Sequence, residues 1–338
     1  MRRVKLALAL TMGEPAGIGP DITLKTWKIR FEQEVQPFYV LCDPEFLKSR
    51  AKHLGLKVPI KVVEPEDARQ CFDEALPVVP LTGPVQVSPG APSGTNAPLV
   101  VESIETAVRH VKEGRASAVV TNPISKKILY DSGFHHPGHT EFLGELAKSY
   151  WGVDVDPIML LAGPELMAVP LTIHVPYIDV PNLITKDLIV DRCRAINKDM
   201  IERFGIAAPR LAIAGLNPHA GEGGSMGMEE VTIISPAIAQ LRSEGIDARG
   251  PLPADTMFHS QALDTYDVAV AMYHDQALIP VKTLAFDEAV NVTLGLPYVR
   301  TSPDHGTAFD IAGTDKASPN SLMASLRLAA ALAEPELV

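Results

Sequence analysis

The chain has 338 residues, of which 46% are hydrophobic and 21% charged, the balance of a globular enzyme long enough for two domains. Its net charge of −11 would repel a nucleic-acid duplex or an anionic membrane surface, so we expect neither as a partner. No run of about 20 apolar residues is present to span a bilayer. Cys42, Cys71 and Cys193 lie far apart with no CxxC pair, which predicts reduced thiols and a cytoplasmic protein.

Short apolar runs alternate with longer amphipathic stretches, which predicts an α/β fold with a largely parallel sheet. The first apolar run is too short for a signal peptide and is predicted as a buried strand. The predicted strands are, in chain order, residues 5–11, 38–41, 116–121, 168–174, 210–214, 268–272 and 289–293. The predicted helices are residues 44–53, 99–113, 140–151, 186–204, 235–244 and 319–333. The proline-rich segment from about residue 55 to residue 97 is predicted to be scaffold.

Polar residues follow several predicted strands at their carboxyl ends, the edge where open α/β sheets bind ligands. Three of these strands run into a histidine, namely His174, His219 and His274. Their spacing matches no local zinc signature, and a single histidine beside a strand is more often structural than a metal ligand. The shared position leaves two interpretations open: three structural histidines, or a catalytic divalent-cation site. Asp255 and Asp275 could orient these histidines or accept protons, or could simply cap loops.

A second group of residues indicates an anion site. Thr140 and Glu141 predict a helix start, where free N–H groups favour a negative charge. Lys282 and Arg300 lie among apolar residues, and a buried cation needs a partner. A substrate phosphate or carboxylate would provide that partner, and an internal salt bridge is the alternative for each residue.

The usual nucleotide-binding and hydrolase motifs are absent from the sequence. There is no GxxxxGK[ST] loop, and the glycine-rich run at 221–227 neither fits GxGxxG nor opens a helix directly after a strand. This run is predicted to be a loop that closes over the site. The sequence also has no GxSxG elbow, which disfavours the commonest hydrolase class.

Two segments resemble the isocitrate/isopropylmalate dehydrogenase fold group. Residues 12–21, MGEPAGIGPD, are similar to its N-terminal glycine loop, and residues 305–313, HGTAFDIAG, resemble its loop around the adenosine end of NAD. The wider set of motifs resembles the 4-hydroxythreonine-4-phosphate dehydrogenase family in order and over nearly the whole chain. This set comprises TMGEPAGIGP, TNPISK, GHTEFL, IHVPY, GLNPHAGEGG, PADTMF, YHDQALIPVK, NVTLGLP and RTSPDHGTAFDIAG.

The resemblance implies site residues at matching positions of this chain. It implies one divalent ion, Zn²⁺, Co²⁺ or Mg²⁺, with the ligands His174, His219 and His274. It implies a substrate site formed by His139, Thr140, Lys282, Asn291 and Arg300. It implies an NAD site that includes His305, Gly306 and Asp310, in which the Asp310 carboxylate would bind the ribose hydroxyls and disfavour NADP. Lys282 and Asp255 are the predicted catalytic residues, and a metal-bound water is the alternative to Asp255 as the base.

The implied reaction is the NAD-dependent oxidation of 4-phosphohydroxy-L-threonine in vitamin B6 biosynthesis. The product, 2-amino-3-oxo-4-phosphooxybutanoate, would lose CO₂ to give 3-amino-2-oxopropyl phosphate. A paralogous dehydrogenase of 4-phospho-D-erythronate or 4-phospho-threonate is the nearest alternative, and a phosphate acyltransferase-like enzyme is a more distant one. A metallohydrolase would leave the NAD loop without a purpose.

The resemblance also implies an organisation for the chain. Residues 1–128 and 285–338 are expected to form a terminal α/β domain that carries the NAD loop. Residues 129–284 are expected to form a central α/β domain with the metal ligands and dimer contacts. The expected fold is therefore two α/β/α domains with largely parallel sheets and an active site in the interdomain cleft. A homodimer with its active site at the subunit interface is implied as well.

Overall fold

The computed structural model describes residues 6–136 and 138–334. Lys5, where the first strand was predicted to begin, and the two ends of the predicted terminal domain lie outside the described residues. Within the described ranges no helix combines the length and the apolar character needed to cross a membrane.

The described residues form twelve strands. They are β1 (Leu8–Thr11), β2 (Phe38–Leu41), β3 (Ile60–Val62), β4 (Leu76–Val79), β5 (Val119–Val120), β6 (Ile158–Ala162), β7 (Met167–Thr172), β8 (Arg210–Ala214), β9 (Asp247–Leu252), β10 (Val268–Tyr273), β11 (Val290–Leu294) and β12 (Arg300–Pro303).

The α-helices alternate with these strands along most of the chain. They are α1 (Gly19–Lys28), α2 (Pro44–His53), α3 (Ala68–Cys71), α4 (Ala97–Lys112), α5 (Lys126–Asp131), α6 (His139–Trp151), α7 (Val180–Leu183), α8 (Lys186–Glu202), α9 (Ser235–Ser243), α10 (Ser260–Leu263), α11 (His274–Ala285) and α12 (Asn320–Ala333). The start of α2 is as predicted, because the Asp43 side chain accepts a hydrogen bond from the Glu45 amide and Pro44 occupies the first helical position.

The chain divides into two compact units, which we call the terminal unit (up to Pro157, with Leu296–Glu334) and the central unit (Ile158–Gly295). These boundaries differ from the predicted ones at 128 and 284. Helix α6 lies in the terminal unit because Phe142 and Leu143 are buried in the same core as Ala107 and Val108. Strand β11 lies in the central unit because it pairs with β6.

The sheet of the terminal unit has the strand order β3-β4-β2-β1-β5-β12, and every pairing in it is parallel. Strand β1 is fully buried and occupies the interior of this sheet, as a continuous apolar run predicts. Because the strands are parallel, their carboxyl ends share one edge. The residues after β1, β5 and β12 therefore lie at the same edge.

The sheet of the central unit has the order β11-β6-β7-β10-β8-β9. Strands β7, β10, β8 and β9 pair in parallel, whereas β6 runs antiparallel to both of its neighbours. The prediction of an α/β fold with largely parallel sheets is confirmed. Strands β3, β4, β6, β9 and β12 are additions to the predicted set.

Candidate functional site

The three predicted histidine ligands follow three adjacent parallel strands of the central unit. Strand β10 lies between β7 and β8 and pairs with both. His174 follows β7, His274 directly follows β10, and His219 comes five residues after the end of β8. Adjacent parallel strands deliver the residues that follow them to one edge of a sheet. The topology therefore supports a common location for the histidines, as the sequence pattern predicts.

His174 and His274 lie side by side. Their ring centroids are 5.8 Å apart, and both line a cavity of about 290 Å³ together with Tyr177 and Asp275. His274 Nδ1 is 2.7 Å from Asp275 Oδ1, so the carboxylate occupies one ring nitrogen and Nε2 is the one that could bind a ligand. This contact gives Asp275 the orienting position that the sequence left open.

His219 occupies a turn of unusual backbone conformation. Its φ is 53°, and Ala220, Gly221, Glu222 and Gly223 also have positive φ values, between 42° and 74°. Left-handed conformations of non-glycine residues cost about 1–3 kcal/mol each, and they concentrate at functional sites. His174 shares the feature, with a φ of 49°. Two of the three predicted ligands are thus held in strained backbone.

The histidines fit a divalent cation only in part. Two neighbouring imidazoles, one of them oriented by a carboxylate, are the ligands that zinc and cobalt favour. Among the described residues, however, no three His, Cys, Asp or Glu side chains are grouped closely enough to hold an ion. His174 and His274 fit such an ion as a pair, and the participation of His219 stays a prediction.

The ends of β8 and β10 are joined by the side chain of Gln276, which is buried. Its Oε1 accepts a hydrogen bond from the Met272 amide at 2.7 Å, and its Nε2 donates to the Gly215 carbonyl at 2.8 Å. Thr172 at the end of β7 donates to the Met272 carbonyl at 2.8 Å. These bonds tie the three strand ends together.

Asp255 is exposed, in a single 3₁₀ turn (Ala254–Thr256) that contacts the segment Pro218–Gly224. Lys282 lies on α11, half-buried, with its Nζ 5.9 Å from the Phe286 ring centroid. Asn291 lies on β11 opposite Leu161. These three predicted site residues belong to the central unit.

In the terminal unit, the predicted anion-binding residues Arg300 and His139 lie together. Arg300 is buried at the start of β12, and its Nη2 donates a 2.6 Å hydrogen bond to Thr121 Oγ1 at the end of β5. The same Nη2 lies 3.5 Å from His139 Nδ1, at the first residue of α6. His139 Nε2 is buried and has no hydrogen-bond partner among the described residues. A buried orphan nitrogen beside a buried guanidinium is a place that an anionic ligand would complete.

The electrostatics of this pocket follow from burial. Burial lowers the pKa of Arg300 to about 10, at which it still carries its charge near pH 7. Burial, followed by the positive charges of Arg300 and Lys126, lowers the pKa of His139 well below 6.5. His139 is therefore neutral at pH 7. Because a guanidinium can only donate, the contact with Arg300 makes Nδ1 the acceptor and leaves the proton on Nε2.

We expect the lowered pKa of His139 to make the free energy of unfolding depend on pH. The unfolded chain takes up a proton at this histidine near pH 6.5 and the folded chain does not, so the stability present above pH 6.5 is lost as the pH falls. Over about one pH unit below 6.5, the wild type should lose up to roughly 1 kcal/mol more unfolding free energy than H139Q, measured by urea denaturation. H135Q, which removes an exposed histidine nearby, is the matched control and should retain the wild-type dependence. Equal slopes for the wild type and H139Q would contradict this assignment.

The glycine loop at 12–21 and the predicted cofactor loop at 305–313 are joined in the terminal unit. Ile18 N donates to the Thr307 carbonyl at 3.0 Å, and a Cβ on Gly17 would lie only 2.7 Å from that carbonyl oxygen. Asp21 Oδ2 accepts a 2.6 Å hydrogen bond from Gly313 N, and Asp21 also pairs with Arg50. The glycine loop at 12–21 and the loop at 305–313 therefore form one assembly.

The predicted cofactor residues occupy the second of these loops. His305 Nδ1 is 3.0 Å from the Gly306 carbonyl oxygen, whereas its Nε2 is buried without a partner among the described residues. Gly306 and Asp310 are exposed, so the Asp310 carboxylate is accessible to a ligand. An orphan imidazole nitrogen and an accessible carboxylate fit the polar groups of a nucleotide.

Sequence reasoning missed several residues that hold these groups. Thr121 and Lys126 stand in the motif TNPISK, and their location just after β5 was the available signal. Asp21 stands in the glycine loop, but its pairing with Arg50 had no sequence signal, because the two residues are 29 positions apart. Glu230, which holds Asn217, likewise lies outside every motif considered.

The fold and these groups together define the chain as an α/β enzyme for a small anionic substrate. The chain belongs to the family described as pyridoxal phosphate biosynthetic protein PdxA, whose model matches residues 33–329. It is 58% identical over 329 residues to the 4-hydroxythreonine-4-phosphate dehydrogenase of Methylorubrum populi, an alignment that covers 97% of this chain and 94% of that protein.

Two solved structures extend the comparison. The 4-hydroxythreonine-4-phosphate dehydrogenase of Klebsiella pneumoniae matches with a TM-score of 0.86 and 34% identity, over 99% of this chain and 100% of the other. A terephthalate 1,2-cis-dihydrodiol dehydrogenase of Burkholderia xenovorans matches with a TM-score of 0.64 and 28% identity, over 97% and 98% of the two chains.

Proposed function

We propose that this protein oxidises 4-phosphohydroxy-L-threonine with NAD⁺ and a divalent cation, as a step of pyridoxal phosphate biosynthesis. The single observation that carries the proposal is the full-length similarity, at 58% identity, to a protein of that name. The pocket of Arg300 and His139 supports it, because a phosphorylated amino acid brings an anionic group that could accept a hydrogen bond from the buried His139 Nε2, beside the Arg300 guanidinium.

Each group of the chain has a part in the proposed reaction. Arg300, His139 and Thr140 bind an anionic end of the substrate, and Lys282 and Asn291 bind its other polar groups. His305, Gly306 and Asp310 hold NAD. His174, His219 and His274 would hold the cation, which is Zn²⁺, Co²⁺ or Mg²⁺. When bound, these two groups supply the hydride acceptor and the positive charge that stabilises the alcohol oxygen.

The protons and electrons of the reaction balance within this set. Bound NAD⁺ would supply the acceptor for the hydride released from the C–H bond of the secondary alcohol, and Asp255 accepts the O–H proton. Asp255 has the exposure this role requires, and its turn contacts the segment that carries His219. Lys282 provides a second positive charge near the developing oxyanion. The resulting β-keto acid then loses CO₂ to give 3-amino-2-oxopropyl phosphate.

We also propose that the protein is cytoplasmic and forms a homodimer whose active site lies at the subunit interface. The central unit exposes large apolar side chains, including Ile178 at 79%, Phe286 at 75%, Tyr177 at 66% and Ile279 at 62%. Exposed apolar patches of this kind are typical of association surfaces. The three cysteines are free and buried, which suits a reducing compartment.

The test is NADH formation by purified protein with NAD⁺ and 4-phosphohydroxy-L-threonine. We expect activity that a chelator abolishes and that added Zn²⁺, Co²⁺ or Mg²⁺ restores. Parallel assays with 4-phospho-D-erythronate and 4-phospho-threonate cover the nearest alternative substrates. Turnover of these alone would support a dehydrogenase but overturn the assignment to pyridoxal phosphate biosynthesis. No NADH from any of the three, with folded protein and added metal, would overturn the dehydrogenase assignment.

A further inference from the structure

Glu230 is a buried carboxylate that the proposed chemistry does not use. Only 2% of its surface is exposed. Its Oε1 accepts a hydrogen bond from Asn217 N at 2.7 Å, and its Oε2 accepts one from Asn217 Nδ2 at 3.0 Å. One carboxylate thus binds both the main chain and the side chain of the residue that precedes the turn bearing His219.

The carboxylate also fits closely against the turn itself. A Cβ on Gly221 would lie 2.5 Å from Glu230 Oε2, and a Cβ on Gly215 would lie 3.2 Å from Oε1. Glu230 therefore packs at the same time against Gly215, which directly follows β8, and against Gly221, in the middle of the turn with positive φ values.

The backbone around Glu230 is adapted to this contact. Residues Glu230–Ile234 form a π-helical turn, a rare element that is frequent at functional sites. At its start, Glu229 Oε2 also accepts a hydrogen bond from Asn217 Nδ2, at 2.8 Å. Two consecutive carboxylates therefore hold a single amide group, and Asn217 is fixed from both the main chain and the side chain.

The turn needs such an anchor. His219, Ala220 and Glu222 are non-glycine residues with φ values of 53°, 50° and 42°, and a strained conformation persists only where its surroundings determine it. At the entrance of the turn, Glu230 and Glu229 hold Asn217 by three hydrogen bonds.

We propose that Glu230 is a positioning residue for His219: through Asn217 and the packing against Gly221, it holds the left-handed turn in the conformation that presents the imidazole to a divalent cation. The inference rests on the proposed function, in which His219 is a metal ligand. Groups that orient ligands in this way typically change metal affinity by about 10–100-fold when they are removed.

The first test is Zn²⁺ binding by metal-free protein, measured by competition with a chromophoric chelator. E230Q places an amide donor against the two donors of Asn217, so we expect its Kd for Zn²⁺ to rise by about 10–100-fold. E222Q removes the same charge from an exposed position of the same turn and should keep the wild-type Kd. H219A supplies the reference value for loss of the ligand.

A second measurement separates positioning from a general loss of structure. In Co²⁺-substituted protein the visible absorption band reports the coordination of the ion, and E230Q should shift this band toward that of H219A while E222Q should not. N217A removes the two side-chain hydrogen bonds to Glu229 and Glu230 but keeps the main-chain bond to Glu230, so it should show a smaller rise in Kd. In the double variant E230Q/N217A, the fold-increase in the Kd for Zn²⁺ should be smaller than the product of the two single fold-increases, because both substitutions act on one contact.

The outcomes distinguish this inference from the proposed function. If H219A binds Zn²⁺ as tightly as the wild type, the assignment of His219 as a ligand fails, and the role of Glu230 fails with it. If H219A loses binding while E230Q and N217A bind as tightly as the wild type, the ligand stands and the positioning role alone is overturned. N217A decides the question if E230Q does not fold.

Discussion

Asp21→Ala is expected to lower the free energy of unfolding by about 3–5 kcal/mol, because it would leave Arg50 as an unpaired buried cation. The side chains of both residues are only 2% exposed. Arg50 also donates hydrogen bonds to the carbonyls of Pro15 and Gly17, at 2.7 Å and 3.3 Å, so the ion pair holds the first glycine loop. Urea denaturation of D21A and wild type measures the difference.

The same variant should weaken NAD binding. Asp21 Oδ2 accepts a hydrogen bond from the Gly313 amide, so removal of the Asp21 carboxylate releases the end of the loop at 305–313. We expect at least a several-fold rise in the Kd for NAD, measured by fluorescence titration.

Two controls accompany D21A. E45A breaks the exposed pair of Lys48 and Glu45 and should cost less than about 1 kcal/mol. D21A/R50M removes both charges and should be more stable than D21A alone, because no buried charge is left without a partner. A loss for D21A no larger than that for E45A would show that the buried pair does not hold the two loops.

Arg300→Met is expected to reduce kcat/KM by about 10²–10³-fold, the usual consequence of removing one partner of a buried charge pair with a ligand. Burial lowers the pKa of Arg300 to about 10, so the free protein carries a cation that its surroundings disfavour. The methionine removes the buried charge but also the hydrogen bonds that Arg300 donates to Thr121 Oγ1, so we expect the unfolding free energy of R300M to change much less than its kcat/KM.

Steady-state kinetics and urea denaturation of the same preparations measure both effects. R327M replaces an exposed arginine on α12 by the same residue, and its kcat/KM should match the wild type. If R300M retains kcat/KM within about threefold, the pocket of Arg300 and His139 does not bind the substrate.

The elements best predicted from sequence are those whose local signals agree. Residues 38–41, 44–53 and 210–214 are observed with the predicted bounds, because continuous apolar runs and the cap at Asp43 mark them clearly. Strand β4 was missed because it is four residues long and contains Pro77. Strand β12 was missed because Arg300, Thr301 and Ser302 are polar, and only burial by tertiary packing makes them strand residues.

The places of several candidate site residues in the fold could be predicted, whereas the residues that hold them could not. His174, His274, His139 and Arg300 stand at strand ends or helix starts, and the structure places them there as two neighbouring pairs. The contacts that hold the loops, from Arg50 to Asp21 and from Glu230 to Asn217, depend on pairing across the fold. No local periodicity encodes such pairs, and the backbone strain at His219 has no sequence signature because histidine does not favour it strongly.

The left-handed backbone at His174 and His219 restricts which replacements evolution or design could use there. Asp and Asn tolerate this conformation, whereas β-branched residues do not. A carboxylate exchanged for either imidazole would thus need no rebuilding of its turn. Oxygen ligands favour Mg²⁺ and Mn²⁺ over the ions that imidazoles prefer. In the proposed metal site, a change in metal preference would therefore need only one substitution at either position, which the main chain already accommodates.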